Sequence, residues 1–146
     1  MLALERYNPI RYVHSKESRV RQHRWGMSQT EWDIARGRLL VLLEAVASSR
    51  LTVTYGEAAR VSFEGRFSAR SGALMDLLSE VDEAVDRERG VMIASLVVRA
   101  DTGLPGEGYF AFARDVLRRD VADRESFWRQ EADAVWAAFG GEGPSR

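Results

Sequence analysis

Ser95 raises the first question of chemistry, because it is a lone hydroxyl inside the almost wholly apolar run Val91-Met92-Ile93-Ala94-Ser95-Leu96-Val97-Val98. A serine nucleophile needs a base beside it and an oxyanion hole. No histidine is near it in sequence, so the expected role is a small residue filling a tight core position. The chain has no cysteine, and His14 and His23 are its only histidines. Thiol nucleophiles, disulfides and thiolate metal sites are therefore excluded, and a histidine-rich metal site is not available. No cofactor and no metal are expected. Asp76, Glu80, Asp82, Glu83, Asp86 and Glu88 follow helical spacing, which reads as a solvated acidic ridge rather than as acid–base pairs. Thr102-Gly103-Leu104-Pro105-Gly106-Glu107-Gly108 lacks the Gly-Lys-Ser/Thr ending of a phosphate loop. A turn tip that needs positive φ accounts for its glycines.

These residues need elements to position them. Ser28-x-x-Glu31 is a capping box. Trp32, Ala35, Leu39, Leu42 and Val46 then recur at three- and four-residue spacing, predicting a helix to about Ser48. Leu51 to Thr54 reads as a short strand. Thr54-x-x-Glu57 is a second capping box, so a short helix should start at Tyr55 and cover Ala58, Ala59 and Val61. A longer helix is expected over 69–89, with Leu74, Leu77, Leu78, Val81 and Val85 on its core face and Gly90 as its C-terminal cap. Val91 to Val98 suits a strand buried on both faces, and the turn chemistry that follows predicts a hairpin over 99–110. A further helical region should begin near Ala111. The last helix, about 123–139, gathers Phe127, Trp128, Val135, Trp136 and Phe139 on one side before Gly140-Gly141 stops it.

The stretch Leu51-Thr52-Val53-Thr54-Tyr55-Gly56-Glu57-Ala58-Ala59, taken with Val91 to Phe110, resembles the DNA-binding domain of the alkylguanine-DNA alkyltransferases and alkyltransferase-like proteins. Ile93, Val98-Arg99-Ala100-Asp101 and Gly108-Tyr109 fit that family's frame, and the likeness covers roughly residues 32 to 110. Where the family carries Pro-Cys-His-Arg, this chain has Ala94, Ser95, Leu96 and Val97. The resemblance implies a winged-helix fold, α+β but mainly α, with helices 55–61 and 69–89 as the helix-turn-helix pair, a β wing and a C-terminal helix. It implies that Tyr55 and Gly56 meet a DNA phosphate at a helix start. It also implies that the second helix reads bases through its amino end, where Arg66, Arg70 and Ser71 stand. The family's base-flipping arginine falls on Ala69, with Arg70 one place along. Arg99 would hold a flanking phosphate. Loss of the reactive cysteine implies that alkyl transfer is not the function.

Composition bounds the rest. The 146 residues are 45% hydrophobic and 29% charged, an ordinary globular balance for one domain. Net charge is −1, yet within residues 11–24 Arg11, Lys16, Arg19, Arg21 and Arg24 stand against the single acid Glu17. That segment reads as a basic arm able to neutralise phosphates, and the arginine bias suits bidentate contacts, although a GC-rich coding sequence gives the same bias. The expected organisation is a basic arm over 1–27, a winged-helix core over 28–112, a helical extension over 113–139 and a disordered tail over 140–146. No apolar run is long enough to span a membrane, and a cytoplasmic location is expected. The expected function is a non-enzymatic one, binding duplex DNA or assisting a system that acts on it. The competing expectation is a protein-interaction module of antitoxin, immunity or defence-accessory type. It would dock through the Asp76–Glu88 ridge or the Phe127–Phe139 aromatic helix.

Overall fold

The computed structural model describes residues 25–140. Expectations for the basic arm through Arg24, including Arg19 and Arg21, and for the tail past Gly140 lie outside the described residues. The chain divides into two compact units, Met1–Ala35 and Arg36–Arg146. In the first, both halves of the capping box form. The Glu31 amide donates to Ser28 Oγ at 3.1 Å, and the Ser28 amide donates to Glu31 Oε1 at 2.9 Å. Helix α1 (Gln29–Ser48) starts there. Its buried positions Trp32, Ala35, Leu39, Leu43 and Ala47 step by three and four residues, while Leu42 and Val46 are only half-buried. The apolar stripe therefore runs one position to the side of the predicted one over its second half.

In the second unit, β1 (Val53–Thr54) leads directly into α2 (Tyr55–Phe63), and α3 (Gly72–Arg89) follows. Ser71 caps α3 by accepting from the Leu74 amide at 3.2 Å, and Gly90 ends it at φ 74°. The predicted core face of α3 is buried in full. Next come a short 3-10 turn (Ile93–Leu96), β2 (Val97–Val98), α4 (Glu107–Asp115) and α5 (Arg124–Phe139). β1 and β2 pair in parallel, Val53 with Val97 and Thr54 with Val98, and are the only strands among the described residues. The molecule is thus α+β and mainly α, and among the described residues no helix is long and apolar enough to cross a membrane.

Three expectations are corrected. Val91 to Val98 is buried throughout, but only its last two residues are strand. Total burial leaves no periodicity to separate a strand from a tight turn, and the Ser95 amide closes back on the Met92 carbonyl at 3.0 Å. No hairpin forms over 99–110. Arg99 N donates to Leu104 O, and Gly103 N donates to Arg99 O, both at 2.9 Å, closing a loop. Helix α4 then begins at Glu107, four positions ahead of the expected Ala111. Tyr109, Phe110 and Ala113 are its buried face, a spacing that serves a helix rather than a returning strand. Of the glycines assigned to a positive-φ tip, only Gly103 takes it, at 75°. At Gly108 an added Cβ would meet the Met75 methyl, the movable end of a flexible side chain that would have to shift.

The acidic ridge is the third correction. Asp82 is only 2% exposed and belongs to the core. Asp86 is tied to Arg119, and Glu80 to Arg36 at 2.9 Å. Asp82 lies four residues after Leu78, so it shares the apolar stripe of α3.

Candidate functional site

Thr54 is extended and accepts from the Glu57 amide through Oγ1 at 3.2 Å, fixing the start of α2. The reciprocal half of this capping box gives way to an ion pair between Glu57 and Arg60. Tyr55 is therefore the first helical residue, and its hydroxyl oxygen accepts from the Gly106 amide at 2.8 Å across 51 residues of chain. That bond holds the 99–106 loop against the opening of α2. Burial pushes the Tyr55 phenol pKa up, against the opposing pull of the Gly106 hydrogen bond. The hydroxyl accordingly keeps its proton and can still donate it.

Beside this junction is a cleft of about 510 Å³ lined by Tyr55, Gly56, Arg70, Met75, Arg99 and Gly106, among others. The amino end of α2 opens onto it with backbone N–H groups that have no intrahelical acceptor. Arg70 stands just before the first turn of α3, exposed, with no carboxylate partner among the described residues. Arg99 presents its guanidinium fork to Asp101, with Nε at 2.9 Å and the terminal nitrogen at 2.7 Å. That bond and the carboxylate charge raise the Arg99 pKa and lower that of Asp101. Glu107, also on the cleft, pairs with Arg124 at 2.7 Å, which lowers its pKa. Both carboxylates of the lining are thus neutralised locally.

The structure brings Tyr55, Gly56, Arg70 and Arg99 to one place. Ala69, the position of the family's arginine, lines the same cleft. Ser71 stays at the helix start with its oxygen committed to the cap. Arg66 sits apart, its guanidinium carbon 5.5 Å from the Phe67 ring centre, and does not line the cleft. Ser95 is shut into the core and does not reach the cleft. Its hydroxyl is 2.5 Å from the Tyr109 hydroxyl, and its carbonyl accepts from Trp128 Nε1 at 2.8 Å. Burial drives the Tyr109 pKa up, so this partner is a protonated phenol and not a base.

Behind the cleft lies a functional group the sequence reading missed. Asp82 accepts from the Ala94 amide through Oδ1 at 2.8 Å and reaches a small chamber of about 20 Å³. Burial, reinforced by the nearby Glu131 and Asp86 charges, raises its pKa to about 8 against the opposing effects of the Ala94 amide and Arg119. Its place on the Leu78 stripe was the available signal. Among the described residues no cluster of potential metal ligands forms. Comparison with protein-family models, with curated proteins and with solved structures finds no match.

Proposed function

We propose that this protein binds duplex DNA as a variant winged-helix module without a reaction of its own. In this arrangement α2 and α3 form the helix-turn-helix pair, and the closed 99–104 loop takes the place of the β wing. The observation that carries the proposal is the shared cleft of Tyr55, Gly56, Arg70 and Arg99 at the amino end of α2 and beside that of α3. A helix amino end attracts anions through its unpaired amides and dipole, and a protonated Tyr55 hydroxyl adds a donor. Arg70 is exposed just before α3, the end through which a reading helix would meet base edges. The Arg99–Asp101 pair is exposed on both sides. An exposed pair of this kind is weakened by solvent and salt, so a phosphate can replace Asp101 as the partner of Arg99.

The resemblance to the alkyltransferase domain favours the same surface, with Ser95 enclosed where that family keeps its reactive thiol. Docking of a protein through the α3 ridge is less favoured, because Asp82 is buried in the core and Asp86 is held by the shielded Arg119.

Anisotropy titrations of a labelled duplex at two salt concentrations test the proposal. Affinity is expected to fall with salt, and Arg99→Ala should flatten that dependence by about 0.9 in slope for one lost phosphate contact. Arg70→Ala should cost about 1–3 kcal/mol, by an amount that changes with the sequence of the duplex. Absence of binding at low salt would end the nucleic-acid assignment.

A further inference from the structure

The cleft and the chamber behind it share Tyr55, Met75 and Gly108 as walls. The cleft, at about 510 Å³, is in the range of small-molecule sites. The chamber, at about 20 Å³, admits one group the size of an oxygen atom. Leu78, Ala94 and Phe112 make much of its wall hydrocarbon. Besides Ser79 and Tyr109, Asp82 and Tyr55 are polar residues on that wall, and both retain unused hydrogen-bonding capacity. Asp82 Oδ1 is occupied by the Ala94 amide while Oδ2 has no partner among the described residues. Tyr55 accepts from Gly106 and still has its own proton to give. Met75, the partition between the two spaces, is an unbranched side chain that adapts to what lies against it.

The geometry points to a binding subsite for an uncharged, flat ring bearing a carbonyl, the ring lying in the cleft and its oxygen entering the chamber to accept from Asp82 and Tyr55. Asp82 holds its proton to about pH 8, so at neutral pH Oδ2 is a donor. An anionic group at the same place would meet a desolvated site with Asp86 and Glu131 close by. The groups facing Asp82 are the Ala94 amide from the 3-10 turn, Tyr55 from α2, Tyr109 from α4, Glu131 from α5, Asp86 on its own helix, and Arg119. The Tyr55 and Tyr109 pKa values are both raised, so Asp82 is the member of this group that changes charge near pH 8.

Saturation-transfer NMR on the full chain with nicotinamide, and separately with nicotinate, tests the subsite without depending on DNA binding. Nicotinamide should bind with Kd on the order of 1 mM, and nicotinate should bind about tenfold or more weakly. Asp82→Leu should weaken nicotinamide about tenfold, the loss of one hydrogen bond. Asp82→Asn keeps an acceptor for Ala94 and a donor for the ligand, so it should retain binding even if the leucine variant fails to fold. Raising pH through about 8 should release nicotinamide from the wild type, where Asp82 ionises, and leave the asparagine variant unchanged. Competition by nicotinamide against a duplex with one unpaired thymine would identify a nucleic-acid base as the source of the carbonyl. Binding without such competition would identify a free small molecule. Equal binding of nicotinate, identical pH profiles for wild type and Asp82→Asn, or no transfer to nicotinamide would overturn the subsite.

Discussion

A carboxyl taken out of water holds its proton well above the ordinary range, and among the described residues Asp82 is in that position. The consequence for stability has a definite sign. In the unfolded chain Asp82 titrates near 3.8, and in the folded chain near 8. Between those values folding takes up a proton, so stability is greatest below the lower value and declines as pH rises toward the higher one. The slope approaches roughly 1 kcal/mol per pH unit. Asp101 and Glu107 shift the opposite way, each lowered by its arginine partner, so their contribution is lost at acid pH, on the other side of the window from that of Asp82. Urea unfolding across that window should show the decline in the wild type and lose it in Asp82→Asn. A flat wild-type profile would mean that Asp82 is hydrated. The buried carboxyl was legible in principle from its spacing to Leu78. Counting it with Glu83 and Asp86 as surface charge was an inference from residue type, and burial overrode it.

Among the elements, two glycines should respond to alanine in opposite directions. Gly37 lies within α1, with nothing within 4 Å of an added Cβ. Gly37→Ala removes unfolded-chain entropy without a clash and should stabilise by about 0.5–1 kcal/mol. Gly90 also has open space, but it ends α3 at φ +74° while its amide reaches the Asp86 carbonyl. Gly90→Ala should therefore destabilise by about 1 kcal/mol through backbone strain alone. Thermal unfolding of both variants checks the pair, and a stabilised Gly90→Ala would contradict the left-handed cap. The caps at Ser28, Thr54 and Gly90 were readable because each depends on partners three or four residues away, whereas α3 starts at Gly72, three positions after the expected Ala69. The 3-10 turn and the early start of α4 were not readable, since apolar residues in an unbroken run favour burial without specifying a conformation.

At the scale of the whole molecule, Arg119 is the cross-tie between distant parts. It pairs with Asp86 of α3 and, at 2.8 Å, with Glu131 of α5, all three largely shielded. Removing one partner from a fully buried pair costs about 3–5 kcal/mol. Partial exposure reduces this, so Arg119→Ala should destabilise by about 2 kcal/mol. Arg119→Lys should rescue little of the loss, because an ammonium cannot present two sides of a planar fork. Denaturant midpoints measure both, and a loss within 0.5 kcal/mol, typical of a surface substitution, would reduce Arg119 to a surface pair.

The sequence by itself determined what local spacing controls: the order of the α-helices among the described residues, the capping residues Ser28 and Thr54, and the core face of α3. Tertiary structure alone decided that Asp82 lies beneath Ala94, that the 99–106 loop is pinned to Tyr55, and that Tyr55, Arg70 and Arg99 share one cleft. Helix caps and apolar stripes are satisfied within one or two turns, so their pattern is written into consecutive residues. The cleft depends on contacts such as Tyr55 to Gly106, 51 residues apart. Their geometry exists only after the helices have packed.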